Sequence, residues 1–268
     1  MRDPFVTYEK AGRVVTVTFQ RPDTRNAIAE HEDCQELVDA LEQANADPEV
    51  SALILTGSGS AFSAGGNLKN MRDRVGIGPQ ASPAGTRANY KRGIQRIPLA
   101  FMALEIATIA AINGHAIGLG LDLACMCDMR VAADNAKFAS SFVKIGIVPG
   151  DGGAWILPRV IGYSKAAELM LTGDTYSAAE AKEMGLVGKI VPPDQVMAEA
   201  RTLAERVAAN PPQATRLAKR LLREGQSARL NEILELSAAF QALAHETADH
   251  HEALDAFFEK RPAVFTGS

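Results

Sequence analysis

The chain has 268 residues, 47% hydrophobic and 22% charged, with 28 basic and 32 acidic side chains and a net charge of −4. It is too apolar for a disordered chain, long enough for a sizeable core, and too acidic to bind nucleic acid or an anionic membrane by bulk charge. Three cysteines, Cys34, Cys125 and Cys127, cannot make a disulfide framework and point to a reducing compartment, the cytoplasm.

The opening MRDPFVTYEK has no apolar segment of the kind that leads a secretory signal. In Arg13–Phe19, Val15, Val17 and Phe19 share one face, which predicts a half-buried strand. After a turn at Pro22-Asp23, the spacing of Cys34, Leu37, Val38 and Leu41 predicts an amphipathic helix ending near Pro48. Ser51–Thr56 reads as a short buried strand, followed by the Gly/Ser loop GSGSAFSAGGN. Glycine, proline and serine over 72–89 predict a mobile surface loop.

The middle of the chain repeats the order of strand, glycine turn and helix. Thr108–Ile112 is a strand, Asn113–Gly118 a turn, Gly120–Cys127 a helix of small residues, and Arg130–Ala133 another strand. The apolar run through this stretch is broken by Asn113, His115 and Asp122, so it reads as core and not as a membrane span. The alternation predicts an α/β core with parallel pairing and no crisp repeat period. From Asp194 the pattern is helical: one helix through Val196, Ala200, Leu203 and Val207, one after Pro211-Pro212, and one over about 230–258.

Two glycine loops follow buried strands, Phe62–Asn67 and Gly118–Asp122. Such loops can aim two peptide N–H groups at one point, as stabilising an oxyanion requires. The plain alternative is a pair of tight turns with no ligand. Gly118-x-Gly120 also echoes a dinucleotide fingerprint, but Leu123 stands where a small residue is needed. A nicotinamide-dependent reading is therefore weak, and no phosphate-loop GK[ST] exists.

Six segments together resemble the crotonase family, the enoyl-CoA hydratase/isomerase superfamily. They are RPDTRNAI (21–28), LILTGSGSAFSAGGNLKNM (53–71), TIAAINGHAIGLGLDLACMCDMRVAADNAKFA (108–139), KIGIVPGDGGAWILPRVIG (144–162), AAELMLTGDTYSAAEAKEMGLVGKIVP (166–192) and AFFEKRPAVF (256–265). The resemblance implies an α/β fold, with a β-β-α spiral core over 1–193 and a helical C-terminal oligomerisation region over 194–268. It implies an acyl-CoA thioester substrate, no tightly bound cofactor beyond the coenzyme A of that substrate, and a homotrimer or dimer of trimers. Neither a nucleic-acid nor a membrane partner is implied.

The same resemblance places the two oxyanion donors at the N–H groups of Ala64 and Leu119. The first hydratase glutamate matches Asp122, and the second matches Phe142, which cannot transfer a proton. Asp is one methylene shorter than Glu, about 1.5 Å less reach. Asp151 in Pro149–Gly153 is a second carboxylate candidate, with a plainer role as a helix N-cap. Arg25, Lys69, Phe257 and Lys260 match positions that contact the adenine or phosphates of coenzyme A, the last two from a neighbouring subunit. The expected function is an acyl-CoA enzyme that stabilises a thioester enolate, with Asp122 as acid/base. Loss of the second glutamate leaves double-bond isomerisation, the hydrolase branch of the fold, or acyl-CoA binding without turnover as alternatives.

Other features read as bland. The cysteines are core, His115 is a packed residue of the second glycine loop, and Arg216, Lys219, Arg220 and Arg223 form a solvated basic face.

Overall fold

Residues 2–268 are described by the computed structural model. The chain opens with β1 (Val6–Ala11), an edge strand antiparallel to β2 (Val14–Phe19). β2 carries the expected alternation, but Val14 and Thr16 are buried as well, because the strand is covered on both faces. α1 (His31–Ala46) buries Cys34, Leu37, Val38 and Leu41, as their helical spacing predicts.

Three turns of one spiral follow. β3 (Ala52–Gly57) leads to the short β4 (Ala61–Ser63) and then to α2 (Leu68–Asp73), α3 (Pro83–Arg92) and α4 (Arg96–Ala103). β5 (Ala107–Ile112) leads to β6 (His115–Ile117) and α5 (Leu119–Met126). β7 (Met129–Ala133) leads to β8 (Lys137–Ala139) and, past a 3-10 turn at Ser141–Ile145, to α6 (Gly153–Ile161) and α7 (Tyr163–Thr172). The turns begin at residues 52, 107 and 129, and this unequal spacing is why the sequence shows no fixed period. β9 (Tyr176–Ser177), α8 (Ala178–Glu183) and β10 (Lys189–Val191) close the spiral.

The long strands make one sheet in the order β1-β2-β3-β5-β7-β10, parallel from β2 onward. The short strands make a second sheet, β4-β6-β8-β9. A chain leaving the long sheet thus re-enters the short one a few residues later, and each glycine loop sits just past the short strand. β3 and β5 are buried along their whole length. Phe5, Phe19 and Phe62 stack between the sheets, with ring centroids 5.3 Å and 5.8 Å apart.

α9 (Val196–Ala208) lays Val196, Ala200 and Ala204 into the same core, so the helical segment beginning at 194 starts inside the spiral's packing. α10 (Pro212–Glu224) follows, then α11 (Leu230–His245) and α12 (Ala248–Glu259). The single helix expected over 230–258 is therefore two, because Thr247 turns the chain and caps α12 by accepting the N–H of His250.

Two further expectations are corrected. Residues 83–92 are helical: Ser82 is the N-cap and Pro83 occupies the first helical position, a start signal that outweighs the local Gly/Ser content. Three of the four residues in the basic stripe on α10 face inward, and only Arg220 is exposed. Arg216 donates to the carbonyls of Asn45, Asp47 and Val50, and Arg223 to those of Met102 and Leu104 at 2.7 Å. Lys219 is buried against Asp128 at 2.7 Å, and burial brings its ammonium down to about 8. The guanidinium fork satisfies carbonyls that α1 and α4 leave open at their ends.

Candidate active site

Both glycine loops arrive at one place. Gly65 has φ +83°, and a Cβ there would stand 2.5 Å from the carbonyl of Ile117 and 3.0 Å from the amide of Leu119. A Cβ on Gly120 would stand 2.1 Å from the carbonyl of Ser63. Only glycine at both positions lets the first loop press against the start of α5.

That contact fixes which amides are free. The Ala64 N–H donates to the carbonyl of Arg25 at 2.8 Å, so the expected donor at 64 is already engaged within the fold. The Ile28 N–H donates to Gly65 O at 2.8 Å and the Asn67 N–H to Ile28 O at 2.9 Å, which makes Gly66 the centre of a parallel bridge. The Gly66 N–H, pointing away from that bridge, has no partner among the described residues. The bend at Gly65 breaks the alternation of the chain, turning the amides of residues 64 and 67 inward and that of 66 outward. Leu119 opens α5, and its N–H is also unpaired among the described residues, as a first-turn helical donor is. Gly66 and Leu119 line one small cavity together with Met71, Ile77, Tyr90, Ile94, Phe142 and Asp151; Ala64 does not reach it. Its volume is about 30 Å³, the share of one water in the liquid.

Asp122 lies one turn into α5 and is fully buried, with both carboxyl oxygens out of reach of any N–H or O–H donor among the described residues. It packs so closely on α6 that a Cβ on Gly153 would sit 2.2 Å from its Oδ2. Asp122 does not line the cavity, whereas Asp151 does. The order expected from the sequence, Asp122 first and Asp151 as helper, is thus reversed in exposure to the cavity. Asp151 is itself 3% exposed and accepts the Gly153 N–H at 3.4 Å.

The two carboxyls face each other, and they can be hydrogen-bonded only if one carries a proton. Burial first, then the negative charge of Asp151, pushes Asp122 well above the usual carboxylate range. Burial also raises Asp151, while the hydrogen bond from Asp122 and the Gly153 amide work against that rise. Both carboxyls are thus pushed up by burial, Asp122 the further of the two, so a proton shared by the pair rests on Asp122 in preference to Asp151.

Both groups hold protons more tightly folded than unfolded, so their contribution to stability is complete below about pH 4 and is lost as pH rises toward the folded values. Urea unfolding between pH 4.5 and 7 should show stability falling by up to about 1.4 kcal/mol per pH unit for each proton held only in the fold. Asp122→Asn should flatten that fall; an unchanged slope would show that Asp122 is ionised in the native state.

Phe142 stands beside Gly118, its ring 3.6 Å from a notional Cβ there, and makes that wall apolar. Arg25 and Lys69 are exposed on the two segments flanking Gly66, and neither side chain has a partner among the described residues. Phe257, 77% exposed, and Lys260 lie at the free end of α12. His115 is exposed on β6 and outside the cavity, so it is not a packed residue. The three cysteines are buried, and burial pushes each thiol up to about 12, which leaves no thiolate nucleophile. No group of three or more His, Cys, Asp or Glu among the described residues is placed to hold a metal ion, and none of their helices is long and apolar enough to cross a membrane.

The place of Gly66 follows from a chain parity that only the bend at Gly65 sets and the sequence does not show; α3, whose start Ser82-Pro83 marks, brings Arg87, Tyr90 and Lys91 beside the cavity.

A β-β-α spiral whose glycine loops meet at an interior cavity is the crotonase fold. Residues 9–268 match the family described as enoyl-CoA hydratase/isomerase. A Mycobacterium bovis protein named "Probable enoyl-CoA hydratase echA8" is 37% identical over 97% of each chain. The crotonyl-CoA hydratase of Syntrophomonas wolfei is 35% identical over 97% of each. A crystal structure of enoyl-CoA hydratase from Bacillus anthracis superposes with a TM-score of 0.91 at 33% identity, over 98% of this chain and 100% of that one. The chain belongs to the enoyl-CoA hydratase/isomerase family of the crotonase superfamily, and is an acyl-CoA enzyme of that family.

Proposed function

We propose that this protein adds water to a 2-enoyl-CoA thioester, with the Gly66 and Leu119 amides holding the thioester oxygen and Asp151 relaying the proton. The observation that carries this reading is Asp151, backed by the buried Asp122, in a cavity that Gly66 and Leu119 also line, both with amides unpaired among the described residues. Hydration needs a base for the water and an acid for the α-carbon. Ionised Asp151 takes a proton from water as the hydroxyl oxygen bonds the β-carbon. The double-bond electrons move toward the α-carbon and the thioester oxygen, where the two amides meet the developing charge. Asp151 then returns the proton to the α-carbon and is ionised again. Asp122 keeps its own proton throughout and, as a positioning residue, holds Asp151 ionised and in place. A carboxylate from residue 151 thereby substitutes for the one that Phe142 removes.

Arg25 and Lys69 suit the coenzyme A phosphates, since both are unpaired cations flanking Gly66. Phe257 and Lys260 of a neighbouring subunit complete that contact in a homotrimer or dimer of trimers, in the cytoplasm. A second reading, double-bond isomerisation, is favoured by the apolar Phe142 wall, because moving a proton between two carbons needs no activated water. Incubation with 2-enoyl- and 3-enoyl-CoA, followed by liquid chromatography that resolves the two isomers and by mass spectrometry, separates the two readings. A gain of about 18 Da on the 2-enoyl substrate is expected from the mass of water. Interconversion of the two at constant mass establishes the isomerase, and release of free coenzyme A establishes a hydrolase. No change in any substrate would make the protein a binder without turnover.

A further inference from the structure

The small cavity shares a wall with a wider groove of about 560 Å³: Tyr90, Ile147, Val148 and Gly150 line both. Tyr90 and Gly150 form the divider: a Cβ on Gly150 would stand 2.4 Å from the tyrosine ring. The Gln95 side chain holds the divider in place by donating to Gly150 O at 3.0 Å. On the near side of this wall are Asp151 and the Gly66 and Leu119 amides. The far side carries Arg87 and Lys91 of α3.

Arg87 and Lys91 are four residues apart, so both sit on one helical face a turn apart, with Tyr90 beside them. Both are exposed, and neither has an ion-pair or hydrogen-bond partner among the described residues. The rest of the groove's lining, Thr86, Gln95, Gly146 and the divider residues, contains no acid. α3 is anchored rather than loose: Asn89 is buried, donates to the carbonyls of Gly76 at 3.0 Å and Gly78 at 2.8 Å, and meets His31 at 2.7 Å. Two cations are therefore held on a fixed helix at the mouth of a groove whose inner walls, Ile147, Val148 and the Tyr90 ring, suit methylenes.

We propose that this groove takes an acyl chain ending in an anionic group, a carboxylate, with Arg87 and Lys91 as its counter-charges. The inference rests on the acyl-CoA reading above and names the acyl class that the same site prefers. A methyl-ended chain gains only the apolar walls. An ω-carboxylate of matched length gains both cations as well, and Arg offers it a paired, planar contact.

The test uses equilibrium binding, so it does not depend on which reaction the enzyme performs. Two saturated six-carbon acyl-CoA thioesters are titrated into the full-length protein by calorimetry, one methyl-ended and one ending in a carboxylate. The carboxylated thioester should bind about tenfold tighter at low salt, a ratio that shrinks as salt rises. In the double variant Arg87→Ala/Lys91→Ala the two should bind alike, through loss on the carboxylated arm only. Equal weakening of both arms would assign the two cations to the coenzyme A phosphates and overturn the proposal. Equal affinity in the parent protein would overturn it while leaving the acyl-CoA reading intact. Binding of neither thioester would remove both.

Discussion

Asp151→Asn should lower turnover on the 2-enoyl thioester about 10²- to 10⁴-fold, the usual range for losing a positioned acid/base group. The fold should survive, because the asparagine carbonyl can still accept from the Gly153 amide and from the protonated Asp122. Asp122→Asn should behave differently. Asp122 acts in the proposed mechanism as the neutral, donating member of the pair, and an asparagine amide is a neutral donor of similar size. Turnover should then stay within about tenfold of the parent. The pH profile separates a positioning role from a merely structural one. A weaker donor holds Asp151 ionised less firmly, so the acid limb of kcat/KM should move to higher pH in Asp122→Asn. Steady-state kinetics across pH on both variants is the measurement. If Asp122→Asn were the severe lesion and Asp151→Asn the mild one, Asp122 would be the relay and Asp151 its support.

How far the sequence carries the argument depends on what each feature rests on. The α/β core was legible because β3 and β5 are uninterrupted apolar runs and α1 has a clean helical stripe; no distant partner is needed to read them. The glycine loops were legible as places of close approach, and the meeting of Gly65 and Gly120 with the opposite loop bears that out. Which amide each loop presents was not legible. One residue in the left-handed region reverses the alternation that counting along a strand assumes, so the Ala64 amide turns inward to Arg25 O while that of Gly66 is left without a partner among the described residues. The depth of Asp122 was also hidden, since it depends on α6 packing Gly153 against the carboxyl. The α10 stripe was misread for a third reason. An amphipathic basic face looks the same in sequence whether it meets water or the open carbonyls of α1 and α4.

The donor assignment carries the second large effect, and it can be tested without adding an atom. An ester analogue that replaces the Gly66 nitrogen by oxygen deletes one N–H and leaves the side chain unchanged. That N–H has no partner within the fold, and the exchange only weakens the Gly65 carbonyl as acceptor for the Ile28 N–H, so the melting temperature should fall by less than at Ala64. Turnover should fall about 10²- to 10³-fold, the cost of removing one preorganised donor from a developing oxyanion. The same exchange at Ala64 makes the opposite prediction. It removes the hydrogen bond to Arg25 O and should destabilise the fold by about 1 kcal/mol while most of the turnover is kept. The two analogues exchange the roles of activity and stability, which no general disturbance of the loop would do. An inactive ester at 64 beside an active ester at 66 would return the donor to Ala64. The Arg25 carbonyl would then have to release that amide whenever a thioester binds.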